Sequence, residues 1–304
     1  MKPGFSRVAA ILLAIGLGGL VPQLHVLVGA VRWLIVAMLF LVFLEVRRWH
    51  QHVDRSHARL LLANLGMGAV AWGAGWLAGG RDVALAAFFT GISPTATAAP
   101  VIVGLLRGRV AYATTAFLLT NLAIACLMPV VLPVVLGHAT PAAFARISGT
   151  VGVVVFLPMV LAGAVRAVHA EAAAWPARLR SVSFGLWVAA ILFVTAEASH
   201  FLRTEAGLSH PQVFRIAAVT LAVCAANFTL GRVLGGREFG RECSQSLGQK
   251  NTSFTIFLAL TYGSPLIALG PTFYVVWHNL WNAWQLHRAG CDQAEGRGDE
   301  PVPK

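Results

Sequence analysis

The sequence predicts an all-α protein that crosses a membrane many times. Of its 304 residues, 57% are hydrophobic and only 12% are charged, whereas a soluble domain carries about 25% charged residues. The apolar residues come in long runs, and a helix that crosses a bilayer needs about 20 of them. The net charge of +11 is spread between these runs and not gathered into a patch, so we expect no nucleic-acid partner.

Ten apolar runs divide the chain, and each predicts one transmembrane helix. They are Val8–Val21, Leu27–Leu44, Leu60–Ala78, Val83–Leu106, Val110–Leu136, Ile147–Val165, Val182–Ala198, Phe214–Leu234, Arg241–Tyr262 and Leu266–Leu286. With the amino terminus in the cytoplasm, 17 lysines and arginines fall on the cytoplasmic side and 5 on the other, leaving out Lys250. Because basic residues favour cytoplasmic loops, this asymmetry predicts ten helices with both termini inside, in a bacterial-type inner (plasma) membrane.

Residues 1–288 are predicted to form a single transmembrane unit. The remainder, 289–304, is rich in glycine, proline and acidic residues and predicts a disordered cytoplasmic tail. The four cysteines show neither metal-ligand nor disulfide spacing, so we expect no metal site and no cofactor. Neither a phosphate-binding loop nor a protease motif is present, so we expect no ATP-driven pump and no enzyme activity.

The fourth run is interrupted. It contains Gly91 and then two prolines, Pro94 and Pro100, with the hydroxyl residues Thr95 and Thr97 between them. Each proline removes a backbone donor and clashes with the preceding helical turn. Since unpaired backbone groups are tolerated at membrane depth only inside protein or beside a water-filled cavity, the run predicts a broken helix.

The ninth run is interrupted too, and it carries the only lysine inside an apolar segment. The polar stretch Ser246–Ser253 includes Gln249, Lys250 and Asn251. An ammonium group near the middle of a bilayer costs roughly 3 kcal/mol by insertion scales. Lys250 must therefore be paired with another group, be solvated in a cavity, or take part in the protein's function.

The two interruptions occupy the fourth and ninth of ten helices. These positions are equivalent if the chain consists of two five-helix repeats, about 8–136 and 147–286. Since five is odd, the second repeat would be inverted in the membrane. Inverted repeats with paired discontinuous helices that meet near the bilayer midplane are typical of secondary transporters.

Several motifs resemble those of the bile acid:sodium symporter family. They are Gly91-x-x-Pro94-x-x-Thr97-Ala98, Gly108-x-Val110-Ala111, Ala198-Ser199-His200, Gly207-Leu208, Gly248-x-x-Asn251, Ser264-Pro265 and Val276-Trp277-His278-Asn279. The resemblance extends from about Ile11 to Leu286. It implies ten helices in two inverted repeats, divided into a panel and a core, with helices four and nine crossing in the core. It further implies organic-anion substrates, from sterol conjugates to small carboxylates, and uptake coupled to sodium.

The family's sodium sites carry over only in part. The family's fourth-helix motif ends in Ser-Asn, and this chain has Ala99-Pro100 at those positions. The family's ninth helix carries Glu-x-Gly-x-Gln-Asn. In this chain Ser246 takes the place of the glutamate and Lys250 takes the place of the glutamine. The family's third-helix glutamine corresponds to Asn64. The fifth-helix hydroxyl residues correspond loosely to Thr120 and Asn121.

A lysine at this position opposes sodium binding. At about 4 Å and an effective dielectric of ~20, the repulsion between an ammonium group and Na⁺ is about 4 kcal/mol. Our hypothesis is that Lys250 replaces the bound sodium electrostatically, joins the crossing helices and attracts an anionic substrate. A proton on Lys250 is the alternative coupling ion.

Other polar residues complete the predicted site. The substrate or crossover contacts are Asn64, Pro94, Thr95, Thr97, Pro100, Ser246, Gln249, Lys250, Asn251 and Asn279. Glu197, the only acid clearly inside an apolar run, and His278 join Lys250 as coupling candidates, although each also suits a structural role.

Three functions remain open at this stage. The first is a sodium-independent secondary transporter of small organic anions that works by alternating access within membrane lipid. The second is a sodium-coupled symporter whose sites are rebuilt from Asn64, Thr95, Thr97 and backbone carbonyls. The third is a membrane receptor or sensor that uses the buried lysine.

Overall fold

The structure is a computed structural model that describes residues 3–45, 53–204 and 210–294. Throughout these ranges the regular elements are helical, and the sole β-type contact is an isolated bridge between Thr95 and Lys250. The α-helices are α1 (Pro3–Leu20), α2 (Val31–Glu45), α3 (Arg55–Gly79), α4 (Arg81–Ile92), α5 (Ala98–Leu105), α6 (Val110–Val135), α7 (Pro141–Val151), α8 (Leu157–Val168), α9 (Trp175–Arg178), α10 (Arg180–Thr204), α11 (His210–Gly248), α12 (Thr252–Tyr262) and α13 (Pro265–Ala294). The all-α prediction is confirmed.

Six helical segments of the described chain are long and apolar enough to cross a membrane. They are Pro22–Leu44, Arg55–Gly79, Val110–Val135, Pro141–Val168, Ser181–Phe201 and Pro211–Gly248, and Thr252–Tyr262 is a shorter apolar helix. The remaining predicted spans fall on α1, on the interrupted pair α4 and α5, on the end of α11 with α12, and on α13. The chain thus has the helices of an integral membrane protein.

The chain forms two compact units, each assembled from three separate segments. Unit one consists of Met1–Arg48, Leu122–Val213 and Ser253–Thr272, and unit two consists of Trp49–Asn121, Phe214–Thr252 and Phe273–Lys304. The predicted repeat boundaries are not tested by this division and stay predictions.

Within unit one, α10 packs against α1 and α2, and α2 packs against α8. Small residues permit the close approach of α1 and α10, because a Cβ added at Gly18 would lie 2.6 Å from the carbonyl oxygen of Leu192. The Ser199 hydroxyl donates to the Gly19 carbonyl at 2.8 Å. His25 and His200 stack with ring centroids 3.8 Å apart.

Within unit two, α3 and α4 form an antiparallel pair. Asp54 caps the start of α3 by accepting from the Ser56 backbone N–H at 2.7 Å, and hydrogen bonds from Ser56 lower the pKa of the Asp54 carboxyl. Gly80, with φ of 77°, provides the tight turn between the helices. A Cβ at Gly91 would lie 2.5 Å from the Met67 carbonyl oxygen, so only glycine lets α4 lie this close to α3.

Both predicted helix interruptions are confirmed. Ser93 is extended (ψ 133°) because a residue before proline is pushed out of the helical region, and α4 therefore ends one residue earlier, at Ile92. In the ninth run, helix is absent between Gly248 and Thr252. Pro100 lies in the first turn of α5, where its missing N–H would be unpaired anyway, and its ring prevents α5 from extending back toward Pro94.

The eighth run and the first part of the ninth lie on α11, which consists of two helical arms joined by a bend at Gly236 and Phe239. Gly236 has φ of 58°, a conformation that glycine adopts without strain. The two arms then pack together, and the Ser244 hydroxyl donates to the Phe228 carbonyl at 2.7 Å. A buried cluster that includes Met67, Cys224, Phe228 and Tyr274 joins the first of these arms to α3 and α13.

The helix α13 runs past the predicted tail boundary at 288 and ends at Ala294. The rest of the predicted disordered tail, 295–304, lies outside the described residues, as does the Gly207-Leu208 motif.

Candidate functional site: a crossover of two broken helices

The two helix interruptions pair with each other within unit two through a single antiparallel bridge. The Ala96 N–H donates to the Gln249 carbonyl at 2.8 Å, and the Asn251 N–H donates to the Pro94 carbonyl at 2.7 Å. Thr95 and Lys250 lie opposite each other between these two bonds. Each break therefore supplies hydrogen-bond partners for backbone groups that the other break leaves unpaired. A non-helical segment at membrane depth needs such partners.

Side chains bond the remaining backbone groups around Thr95. Its N–H donates to the Thr120 hydroxyl at 3.0 Å, and its own hydroxyl donates to the Ser246 carbonyl at 2.6 Å. The Asn121 amide donates to the Thr95 carbonyl at 2.8 Å. The Asn251 amide in turn donates to Asn121 Oδ1 at 3.1 Å. A single hydrogen-bonded layer thus links α6 to both breaks.

Lys250 is the ionisable group of this layer, and it is only 1% exposed. Its Nζ donates to Asn64 Oδ1 and to the Gly91 carbonyl at 3.0 Å. Among residues 3–45, 53–204 and 210–294, no carboxylate pairs with it. Gly91 belongs to the last turn of α4, where the helix dipole presents partial negative charge. The hydrogen-bond partners of Nζ within the described chain are thus two neutral oxygens, one on the Asn64 side chain of α3 and one at the end of α4.

Asn64 holds the lysine and the helix end together. While its Oδ1 accepts from Lys250, its Nδ2 donates to the Ile92 carbonyl at 3.2 Å. The side chain is fully buried. Asn64 therefore belongs to the predicted site, and both ends of its amide are engaged.

A second hydrogen-bonded chain connects the ninth-run break to α13. Gln249 Nε2 donates to Asn282 Oδ1 and to Gln245 Oε1 at 3.3 Å. Gln245 Nε2 donates to Gln285 Oε1 at 2.5 Å. The sequence analysis missed Asn282 and Gln285 and placed Asn279 here instead. The sequence feature that could have indicated them is that Asn282 and Gln285 are both polar and three residues apart, so they lie on one face of α13.

Two predicted residues stay outside these hydrogen bonds. The Asn279 amide donates to the Val275 carbonyl of its own helix at 2.6 Å, so the structure does not bring it into the crossover. Thr97 is exposed, and its side chain makes no capping bond to α5. With half-buried Asn251, Thr97 contributes polar surface beside an otherwise buried crossover.

The positions that correspond to the family's sodium ligands hold no ion-binding set. Ala99 is buried and offers no side-chain oxygen, and half-buried Pro100 offers none either. The Ser246 hydroxyl is buried without a hydrogen-bond partner among the described residues. Lys250 adds a positive charge where the family has an amide. One uncommitted hydroxyl is a poor ligand set for a hard cation that needs several oxygens.

The two other coupling candidates differ in their surroundings. His278 is buried in unit two, edge-on to Tyr274 with ring centroids 5.5 Å apart, and its Nδ1 has no partner within the described chain. Tyr274 donates to the Gly248 carbonyl at 2.8 Å, which connects this aromatic pair to the break. Glu197 is half-buried on α10 and belongs to unit one.

The sequence analysis also missed Glu242, a carboxylate at the edge of the ninth run that is only 4% exposed. Its Oε1 accepts from the Arg109 N–H at 2.6 Å, at the start of α6. A Cβ at Gly108 would lie 2.8 Å from the same oxygen. Glu242 therefore fixes the start of the helix that supplies Thr120 and Asn121, and Glu197 is not the only acid inside an apolar run.

We expect Glu242→Gln to lower the free energy of unfolding by about 1–2 kcal/mol, because it replaces a charge-assisted bond in a buried site. Glu238→Gln is the matched control, since Glu238 is 64% exposed in its 3.2 Å ion pair with Arg109 and such pairs contribute under about 1 kcal/mol. Thermal unfolding in detergent measures both. Equal losses for the two variants would contradict a specific role for Glu242.

Comparison with known proteins adds no relative: no family model matches this chain, and no curated protein does either. The symporter resemblance therefore stays an expectation from the motifs.

Proposed function

We propose that the chain is a secondary transporter of small organic anions, related to the bile acid:sodium symporters, with ten helices in two inverted repeats. The observation that carries the proposal is the crossover itself. Two broken helices pair by backbone hydrogen bonds around a buried Lys250. Broken helices that meet near the bilayer midplane are the characteristic substrate site of secondary transporters.

In this proposal Lys250 acts as a fixed cation at the crossover. A mobile sodium ion would draw together helix-end carbonyls and side-chain oxygens, and the ammonium group bonds just such groups, Asn64 Oδ1 and the Gly91 carbonyl. With no paired carboxylate in the described chain, its charge stays available to attract an anion. The exposed Thr97 and half-buried Asn251 provide the polar surface that such a substrate would meet.

Alternating access requires that the crossover survive a conformational change. The backbone pairing and the layer through Asn121 and Asn251 hold it together. Substrate would then alternate between the two sides of the membrane while the cation stays in place. No enzymatic step is part of this proposal.

A sodium-coupled symporter is the second candidate, and one observation favours it: the buried Ser246 hydroxyl without a partner in the described chain. Against it, two of the side-chain oxygens proposed for rebuilt sites are engaged. Asn64 Oδ1 accepts from Lys250, and the Thr95 hydroxyl donates to Ser246.

The test is uptake of radiolabelled taurocholate and of a set of small carboxylates into vesicles that contain the purified protein. We expect uptake of at least one anion that is unchanged within about twofold when sodium is replaced by potassium, because a cation at ~4 Å from Lys250 is repelled by about 4 kcal/mol. Sodium-dependent uptake would establish the symporter instead. Absence of uptake for every anion, with folded protein in the vesicles, would contradict both.

A further inference from the structure

Unit two has a strongly basic end, formed where three segments meet. The segments are the start of α3, the loop between α5 and α6, and the bend of α11. His57 on α3 donates to the Tyr112 carbonyl at 3.1 Å. Arg241 on α11 donates to the Leu106 carbonyl at 2.9 Å. The bond from Arg109 to Glu242 completes the junction. These contacts gather residues that lie far apart in the sequence.

Five guanidinium groups at this junction are exposed and make no hydrogen bond or ion pair with any described residue. We call them the arginine end: Arg55, Arg59, Arg107, Arg232 and Arg237. The three acids of the same segments are already engaged. Asp54 accepts from Ser56, Glu238 pairs with Arg109, and Glu242 is buried. The five free arginines outnumber these three acids, so the exposed surface carries net positive charge.

Arg107, a member of the arginine end, has an unusual backbone conformation. It has φ of 58° and is the one non-glycine residue with positive φ among the described residues. It follows the last turn of α5, where the Gly108 N–H donates back to the Val103 carbonyl at 2.8 Å. Helices commonly end this way, with glycine in the left-handed position. An arginine there is strained, which points to a function of its side chain.

The position of the arginine end along the candidate membrane helices indicates which kind of ligand it would contact. Candidate spans begin at Arg55 and Val110, so Arg55, Arg59 and Arg107 lie within about a turn of an apolar segment, at the depth of the lipid headgroups. The guanidinium group binds phosphate through two parallel hydrogen bonds. All five cations are arginine, and none is lysine.

We propose that the arginine end binds the phosphate headgroup of an anionic phospholipid. The inference goes beyond the proposed function, because it requires neither transport nor the crossover. Bound lipid would neutralise the exposed charge and bridge the three segments of unit two.

The test measures binding of phosphatidylglycerol and of phosphatidylcholine to the full-length purified chain by titration and native mass spectrometry in detergent. We expect at least tenfold preference for phosphatidylglycerol. Arg107→Gly should weaken that binding about fivefold, since each basic residue near a charged membrane surface contributes about this factor. The same substitution relieves the strained backbone, so the melting temperature should stay equal or rise.

The control is Arg178→Gln, which removes an exposed arginine from α9 in unit one and should leave phosphatidylglycerol binding unchanged. Arg237→Gln provides a second variant of the arginine end and should also weaken binding about fivefold. Unchanged affinity in both variants of the arginine end would overturn the proposal. An equal loss in Arg178→Gln would do so too, as would equally tight binding of inorganic phosphate alone.

Discussion

Replacing Lys250 with glutamine is expected to lower organic-anion uptake about a hundredfold while the protein stays folded. A charge about 5 Å from the substrate at an effective dielectric of ~20 contributes about 3 kcal/mol, which corresponds to this factor in affinity. The glutamine amide can still donate to Asn64 and Gly91, the present partners of Nζ. The variant thus removes the charge and keeps a donor at the crossover.

Initial uptake rates in vesicles measure this prediction, with and without sodium, and gel filtration checks the fold. Since the variant also removes the repulsion toward Na⁺, any remaining uptake should become sensitive to sodium. Arg178→Gln, which removes a positive charge from α9, is the control and should transport normally. If Lys250→Gln transports as fast as the unmodified protein, the lysine is a scaffold residue and the fixed-cation hypothesis is wrong.

Replacing Asn64 with leucine is expected to lower the free energy of unfolding by about 3 kcal/mol, because it leaves a buried ammonium group short of an acceptor. Asn64 Oδ1 is one of the two oxygens that Lys250 contacts. The Ile92 carbonyl would lose its partner as well. The double variant Asn64→Leu with Lys250→Met should recover all but about 1 kcal/mol, since an apolar pair of similar volume replaces a buried polar one.

Denaturant unfolding of the four proteins in this double-mutant cycle measures the coupling energy between the two side chains. A coupling below about 0.5 kcal/mol would mean that the two side chains act independently. The uncharged double variant should be folded and inactive, which separates the structural contribution of Lys250 from its electrostatic one. Full transport by that variant would contradict the proposed function even if the stability prediction held.

Much of the crossover could be predicted from single residues, because the physics there is local. Pro94 forces the preceding residue out of the helix. The polar stretch around Lys250 lies inside an apolar run, where its polar groups would be too costly to bury without partners. Thr95 and Gln249 were predicted because polar side chains inside apolar helices must find partners, whereas Asn64 and Asn251 were predicted from the motif resemblance. The structure brings these residues together.

The errors arose where the outcome depends on neighbours in space. Asn279 and Asn282 lie one turn apart on α13, and only packing against Gln249 decides which of them joins the crossover. Glu242 was passed over because its backbone partner is distant in the sequence.

The sequence by itself determined that this is an all-α membrane protein with two interrupted helices and a lysine in one of them. Those features follow from hydropathy and from the backbone limits of proline and glycine, which act over a few residues. Only the tertiary structure decided that the interruptions pair through an antiparallel bridge and that Lys250 donates to Asn64 on α3 and to Gly91 at the end of α4. The physical reason is that helix packing decides which residues far apart in the chain become hydrogen-bond partners, and a local stretch of sequence does not determine that packing.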